Sequence, residues 1–286
     1  MSNITPQMVK TLREKTGAGM ADCKKALEEN NGNMDESIDY LRKKGAASAA
    51  KRAEREAKEG AIVARTSKDG KNAILVEINS ETDFVAKNAG FVEYTQAAAD
   101  ALITSNVSTV EELMKISING TTVENLHNDV LAKFSEKIEV RRIKRISSQG
   151  YIESYVHAGG KLAVLVEVSC DKMNEKGKIL LRDIAMQIAA MNPIHVDKSD
   201  VSQETLAKEK EIYVEQAIAE GKKPEIAERI ATGRIEKYYE DFCLMQQNFV
   251  KDGNKLVADV VAEIAKDCGC DLKVLSFVRY TLGGNE

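Results

Sequence analysis

The feature that most constrains this chain is a repeat inside it. Residues 60–80 and 150–170, offset by 90 positions, align without gaps and share eight of 21 residues: Gly60/Gly150, Ile62/Ile152, Gly70/Gly160, Lys71/Lys161, Ala73/Ala163, Leu75/Leu165, Val76/Val166 and Glu77/Glu167. An internal duplication accounts for this economically. In the first copy, Ile62–Thr66, a turn at Asp69-Gly70 and Asn72–Ile78 read as a β-hairpin, with helical sequence following from Gly90 to Ile103. In the second, the same grammar runs through YIESYVHAGGKLAVLVEV, with helical sequence from Met173 to Met191. Two hairpin-plus-helix units predict an α+β core of two antiparallel sheets with helices on one face.

The rest of the chain arranges itself around that core. Residues 1–45 read as three short helices. Thr5 caps the first, with Pro6 at its first position and Val9 and Leu12 on the buried face. The second runs from Asp22 to Asn30, and the third from Met34 to Lys44. Residues 43–60 hold six bases, three acids and little to bury, which predicts an exposed helical linker. Ile138–Ile146 alternates apolar and basic residues and reads as a half-exposed strand introducing the second copy; its Arg141, Arg142, Lys144 and Arg145 are read as solvated, edge-protecting charge rather than a nucleic-acid stripe. Residues 202–242 read as an antiparallel helical hairpin broken at Gly221-Lys-Lys-Pro224 and projecting from the core. A helix from Asn254 to Lys266 and a strand from Leu272 to Tyr280 close the chain. The expected segments are 1–45, a linker at 46–59, a first subdomain at 60–147, a second at 148–253 containing the 202–242 hairpin, and a C-terminal helix and strand at 254–286.

Composition narrows the function. With 286 residues, size alone demands no staple. The balance of 45 acids against 41 bases, net −4, argues against nucleic acid or a membrane surface as the main partner. The N-terminus carries no secretory signal, and no apolar run reaches the roughly 20 residues of a membrane helix. The five scattered cysteines read as free, buried thiols in a reducing cytoplasm, and Cys268-Gly-Cys270 lacks the second ligand pair of a zinc site. No metal or cofactor is expected. No nucleophile elbow, zinc-protease helix, phosphate loop or dinucleotide fingerprint occurs, and His127, His157 and His195 lie far apart. A binding protein is therefore expected rather than an enzyme. One segment resists a purely structural reading: Thr82 or Asp83 can cap a short turn in SETDFVAKNAG (80–90), but Asp83-Phe84 has no counterpart in the second copy. Phe84 either packs on its own sheet or is a wedge for a partner.

Several of these stretches carry a resemblance that covers essentially the whole chain. VKTLREKTGAGMADCKKAL, TDFVAKN, SYVHAGGKLAVLVEV, IAMQIAAMNP, GKKPEIAERI, NFVKD and FVRYTL stand in an order and spacing similar to bacterial elongation factor Ts. Departures occur at Phe134-Ser135, where a smaller apolar-glycine pair is usual, at Gln187, where His is common, and in a shorter tail. The resemblance implies a ubiquitin-associated-like module at residues 1–45 and guanine nucleotide exchange on the GTPase elongation factor Tu. It implies that Thr82, Asp83, Phe84 and Val85 disturb the GTPase magnesium site, with Phe84 as wedge and Asp83 as anchor. Lys24 and His157 are further candidate contacts. It implies a cytoplasmic protein with no nucleic acid or membrane partner, and leaves a homodimer or 2:2 complex open.

Overall fold

A computed structural model describes residues 4–284; the ends of the first and last expected segments, 1–3 and 285–286, lie outside the described residues. Helix α1 (Pro6–Thr16) starts where the Thr5 hydroxyl accepts from the Met8 amide at 3.2 Å, and ends at Gly17, whose φ of 69° suits glycine. Helices α2 (Met20–Glu29) and α3 (Met34–Ala50) complete a small core of Val9, Leu12, Ala18, Cys23, Ala26, Leu27 and Leu41. Helix α3 runs six residues past the expected Lys44, and the exposed-linker reading needs correcting. Arg52 and Ala57 are buried, and a Cβ on Gly45 would come within 2.8 Å of the Ala132 backbone. The small residues of the stretch are there for close approach.

Strands β1 (Glu59–Thr66) and β2 (Asn72–Ser80) pair antiparallel, Glu59 opposite Ser80 and Thr66 opposite Ala73, around the Asp69-Gly70 turn. Then come α4 (Asp83–Ala86), α5 (Ala89–Thr104), α6 (Val110–Met114), the two-residue strands β3 (Ser117–Ile118) and β4 (Thr121–Thr122), and α7 (Val123–Lys133). Strand β5 (Ile138–Ser147) does not introduce the second unit. It is the third strand of the first sheet, ordered β1-β2-β5. Three of its four basic residues turn inward, while Lys144 is exposed as expected. Arg142 pairs with Glu77 at 2.7 Å, and Arg145 donates to the Leu102 and Ser105 carbonyls at the C-terminal end of α5, where positive charge is favoured. Arg141 donates to the Gly284 carbonyl.

The second sheet contains β6 (Tyr151–His157) and β7 (Leu162–Val168), followed by α8 (Glu175–Met191), α9 (Gln203–Ala219), α10 (Pro224–Phe242), β8 (Asn248–Phe249), β9 (Asp252–Leu256), α11 (Val257–Cys268) and β10 (Val274–Thr281). Its order is β10-β7-β6, all antiparallel. The α+β class is as expected.

Period-two alternation decides how the layers stack. On β2, Ile74, Val76 and Ile78 face α5 and α7, whereas Ala73 and Leu75 face the other sheet. On β7, Val164, Val166 and Val168 face α8 and α11, whereas Ala163 and Leu165 meet the first sheet. Helices therefore cover the two outer faces, and the sheets pack against each other through Ile62, Leu75, Ile152, Leu165 and Tyr280. The Ile62 amide donates to Gly160 O at 2.7 Å and the Ile152 amide to Gly70 O at 2.8 Å. Four of the residues shared by the two aligned segments thus join the sheets reciprocally. Glu77 faces the same interface, fully buried. It accepts from Arg142 Nε and, through its other oxygen, from the Gly283 amide at 2.7 Å, while the Arg142 guanidinium lies 3.8 Å from the Tyr280 ring centre.

The cysteine expectation fails at one pair. Cys170 and Cys270 form a disulfide across 100 residues, their Cα atoms 6.2 Å apart. The cause is topological: β7 and β10 are neighbours, Val168 opposite Val274, so the residues just beyond them meet. Cys23 and Cys243 are free and buried, and Cys268 is free and partly exposed.

Helices α9 and α10 form the expected hairpin, with Ala217, Ala227, Ala231 and Tyr238 buried along a thin seam. Its base is a separate cluster of Val201, Tyr238 and Cys243. The base should stay when the hairpin is removed: replacing residues 207–234 by a short Gly-Ser link is expected to leave one cooperative melting transition. A split or abolished transition would mean that the hairpin supports the core.

A second expectation concerns acid. The Tyr94 hydroxyl and His127 Nδ1 lie 2.9 Å apart between α5 and α7. Burial lowers the His127 pKa to about 4, so the ring is neutral and accepts from Tyr94, whose own pKa burial raises. A histidine depressed in the folded state contributes its full stability above its unfolded pKa, about 6.5, and loses it as pH falls towards 4. Between pH 7 and 4 the loss is on the order of 3 kcal/mol by this linkage. Urea midpoints from pH 7 to 4 should show it in the parent chain and a flatter profile in His127→Gln.

Candidate functional site

The segment singled out in the sequence leaves the sheet at the end of β2. The Thr82 hydroxyl accepts from the Val85 amide at 3.4 Å and caps the four-residue helix α4. Thr82 is itself held from behind: its amide and hydroxyl donate to the Glu136 carboxylate at 3.0 and 2.7 Å. The neighbouring Glu81 accepts from the Lys137 amide at 2.5 Å and from Arg55 at 3.3 Å. The loop between α7 and β5 thus clamps the start of α4. Glu81 adjoins the motif but carries no sequence signal of its partners, and Glu136 lies 54 residues from Thr82, a distance that only the topology closes.

With its base fixed, α4 splits its side chains. Val85 is buried in the core of the first sheet and holds the turn down. Phe84 points the other way and is 83% exposed, the highest value of any large apolar side chain among the described residues. The alternative in which Phe84 packs on its own sheet is thereby excluded. Fully burying a phenylalanine gains roughly 1.5–3 kcal/mol, and the free chain forgoes that gain. Asp83 is half-buried beside it and pairs with Lys87 one turn on at 2.6 Å; that ammonium holds the Asp83 carboxyl below the usual carboxylate range.

Asp83 and Lys87 also stand on the rim of a groove of about 590 Å³ between the two halves of the molecule. One wall is β1 and α5, with Ala61, Val63 and Val92; the other is the β6–β7 turn, with Ala158, Gly159 and Gly160. His157 precedes this turn, exposed, its Nδ1 2.8 Å from the Tyr155 hydroxyl. The fold therefore gathers the turn bearing His157 and the Thr82–Val85 segment around one groove, although they lie about 75 residues apart in sequence. Lys24 is not part of that gathering. It lies exposed on α2, 3.7 Å from Glu28. Gln187, where the sequence departs from its resemblance, is fully buried and bonded to Gln247, Asn248 and Val250.

The arrangement contains an exposed aromatic, a carboxylate and a groove, which suits contact rather than bond chemistry. Among the described residues, no group of three or more His, Cys, Asp or Glu side chains converges as a metal site, and no helix is long and apolar enough to cross a membrane.

Comparison with known proteins decides the family. The family model described as "Elongation factor TS" matches residues 81–284, beginning one residue before the Thr82 cap. The chain is 45% identical to elongation factor Ts of Chloroherpeton thalassium over 99% of both chains. It is also 45% identical to elongation factor Ts of Prosthecochloris aestuarii, over 99% of this chain and all of that one. The chain belongs to the elongation factor Ts family. Elongation factor Ts of Clostridium perfringens aligns at 45% identity over 98% of this chain and 93% of its own. As a member of this family, the chain is a translation elongation factor of protein biosynthesis.

Proposed function

We propose that the chain is a guanine nucleotide exchange factor for the translational GTPase elongation factor Tu, promoting GDP release by disturbing its magnesium and phosphate site. The observation that carries this reading is Phe84, held on a clamped turn with its ring in solvent. Phe84 enters the GTPase beside the metal, and Asp83 anchors it by accepting hydrogen bonds after giving up Lys87. Thr82 and Val85 serve from behind, as cap and core anchor. His157 offers a second contact from the facing turn. Lys24, on the three-helix module of ubiquitin-associated type, offers a third on another face. The reciprocal bonding of the two sheets supports a duplicated core. Cytoplasmic location follows from the family's role in translation, since the Cys170–Cys270 disulfide removes the free-thiol argument for it.

No bond is made or broken in such a reaction. Elongation factor Tu holding GDP at nanomolar affinity corresponds to about −12 kcal/mol, and much of that passes through the metal's charge. A protein that binds best when those contacts are spoiled weakens nucleotide as much as nucleotide weakens it. A thousandfold faster release needs a barrier lowered by about 4 kcal/mol. A reading as an RNA-associated adaptor through residues 43–60 and 139–145 is disfavoured by the internal partners of Arg141, Arg142 and Arg145. The assembly proposed with the GTPase is a homodimer or a 2:2 complex, which mass measurement tells apart.

The decisive experiment is release of fluorescent GDP from elongation factor Tu with and without this chain. Release should accelerate by orders of magnitude, and saturating GDP with Mg²⁺ should weaken the complex measured independently. An affinity indifferent to GDP and Mg²⁺ would leave the proposal without its thermodynamic basis.

A further inference from the structure

The β2–β5 ladder ends with Ser80 opposite Ile138. The same register carried two steps further sets Glu81 opposite Lys137 and Thr82 opposite Glu136. At these steps side chains take over from the backbone, and they do so reciprocally. The Lys137 amide donates to the Glu81 carboxylate at 2.5 Å, and the Thr82 amide donates to the Glu136 carboxylate at 3.0 Å. A carboxylate reaches further than a carbonyl, so the chain keeps its last rungs while turning away from the sheet into α4. The two acids differ in what else they hold. Glu81 also pairs with Arg55. Glu136 enters no ion pair among the described residues, and its second oxygen accepts from the Thr82 hydroxyl at 2.7 Å. That hydroxyl has one proton. Giving it to Glu136 leaves the oxygen lone pairs for the Val85 amide, so Glu136 sets both the backbone of residue 82 and its cap.

A single helical turn does not hold itself, because its nucleus fixes several residues for one hydrogen bond. Helix α4 has four residues, and Val85 alone among them is buried. The direction in which Phe84 points is therefore decided by Val85 beneath it and by Glu136 at its start. We propose that Glu136 is a positioning residue for nucleotide exchange, holding Thr82 so that Asp83 and Phe84 stand ready in the free chain. The inference rests on the exchange reading above. Glu136 acts through Thr82 and not on the partner. Without its carboxylate the turn is ordered only at the moment of contact. Binding then carries the conformational entropy that the parent chain gave up on folding.

The test measures fluorescent-GDP release from elongation factor Tu with the full chain and its variants, beside melting temperature and amide hydrogen exchange of each free chain. Glu136→Ala should slow release about tenfold or more, the factor that ordering one freed residue represents. Its melting transition should stay close to the parent's, and only the amides of residues 82–88 should lose protection. Glu136→Gln keeps one acceptor oxygen and should restore most of the rate. In a chain already carrying Phe84→Ala, adding Glu136→Ala should cost less than about twofold more, since both act at one contact. A full further loss in that background overturns the inference, as does a Glu136→Gln chain as slow as Glu136→Ala. Melting that falls in step with release makes Glu136 a structural support and overturns it too. A parent that speeds release beside a Glu136→Ala chain of equal speed sinks the inference alone. A parent that does not speed release removes the exchange reading, and the inference with it.

Discussion

The Asp83→Ala/Phe84→Ala double variant is expected to fold like the parent and to release GDP from elongation factor Tu little faster than the unaided GTPase. Two different magnitudes separate the explanations. A core phenylalanine truncated to alanine costs 3–5 kcal/mol, about what many domains have to spare. A side chain as exposed as Phe84 should cost about 1 kcal/mol or less. Among the described residues Asp83 is ion-paired with Lys87 alone, at the surface, where solvent screens the interaction. The loss should therefore appear in exchange and not in melting. The two single changes should be non-additive in exchange, because both act at one contact. A double variant with parental exchange would remove these residues from the mechanism and leave the other surfaces to explain it.

The largest stability effect is expected at Arg142→Ala. Removing the guanidinium leaves the Glu77 carboxylate fully buried, with the Gly283 amide as its one remaining bond among the described residues. Breaking one partner out of a buried pair costs about 3–5 kcal/mol, because the remaining charge is uncompensated. The loss should appear as a lower denaturant midpoint with a similar slope. The same substitution strips the cation from the Tyr280 ring and cuts the tie between the two sheets. The double variant Glu77→Leu/Arg142→Met should recover much of the loss, since apolar groups of similar volume replace the ions. A cost under 1 kcal/mol for Arg142→Ala would show that the buried pair adds little to the apolar packing and backbone bonds that join the sheets.

Much of this was legible in the residues. Thr5 with Pro6, the Asp69-Gly70 turn and the unbroken apolar runs of β2 and β7 carry local signals that tertiary structure only reinforces. The runs fail to alternate because both faces are covered, one by helices and one by the other sheet. What stayed hidden was whatever depends on partners distant in sequence. The alternation in Ile138–Ile146 marks a strand but cannot say which sheet receives it. The spacing of Cys170 and Cys270 carries no trace of their meeting at the ends of paired strands. Gly45 and its neighbouring alanines look like a featureless linker until α7 is laid against them. At the site, the Asp83-Phe84 pair stood out because its counterpart in the repeat lacks it. Glu136, which fixes the turn, gave no sign of its distant partner.

The groove beside Asp83 is built from both halves of the molecule, one wall from each sheet. Its width is therefore a property of the angle at which the sheets meet, and neither half possesses it alone. Natural variation at Ile62, Leu75, Ile152 or Leu165 reaches that opening without altering any residue on its rim. The halves must change in step, and a hybrid joining this chain's first sheet to a relative's second would inherit every contact residue and still present a mouth of the wrong shape.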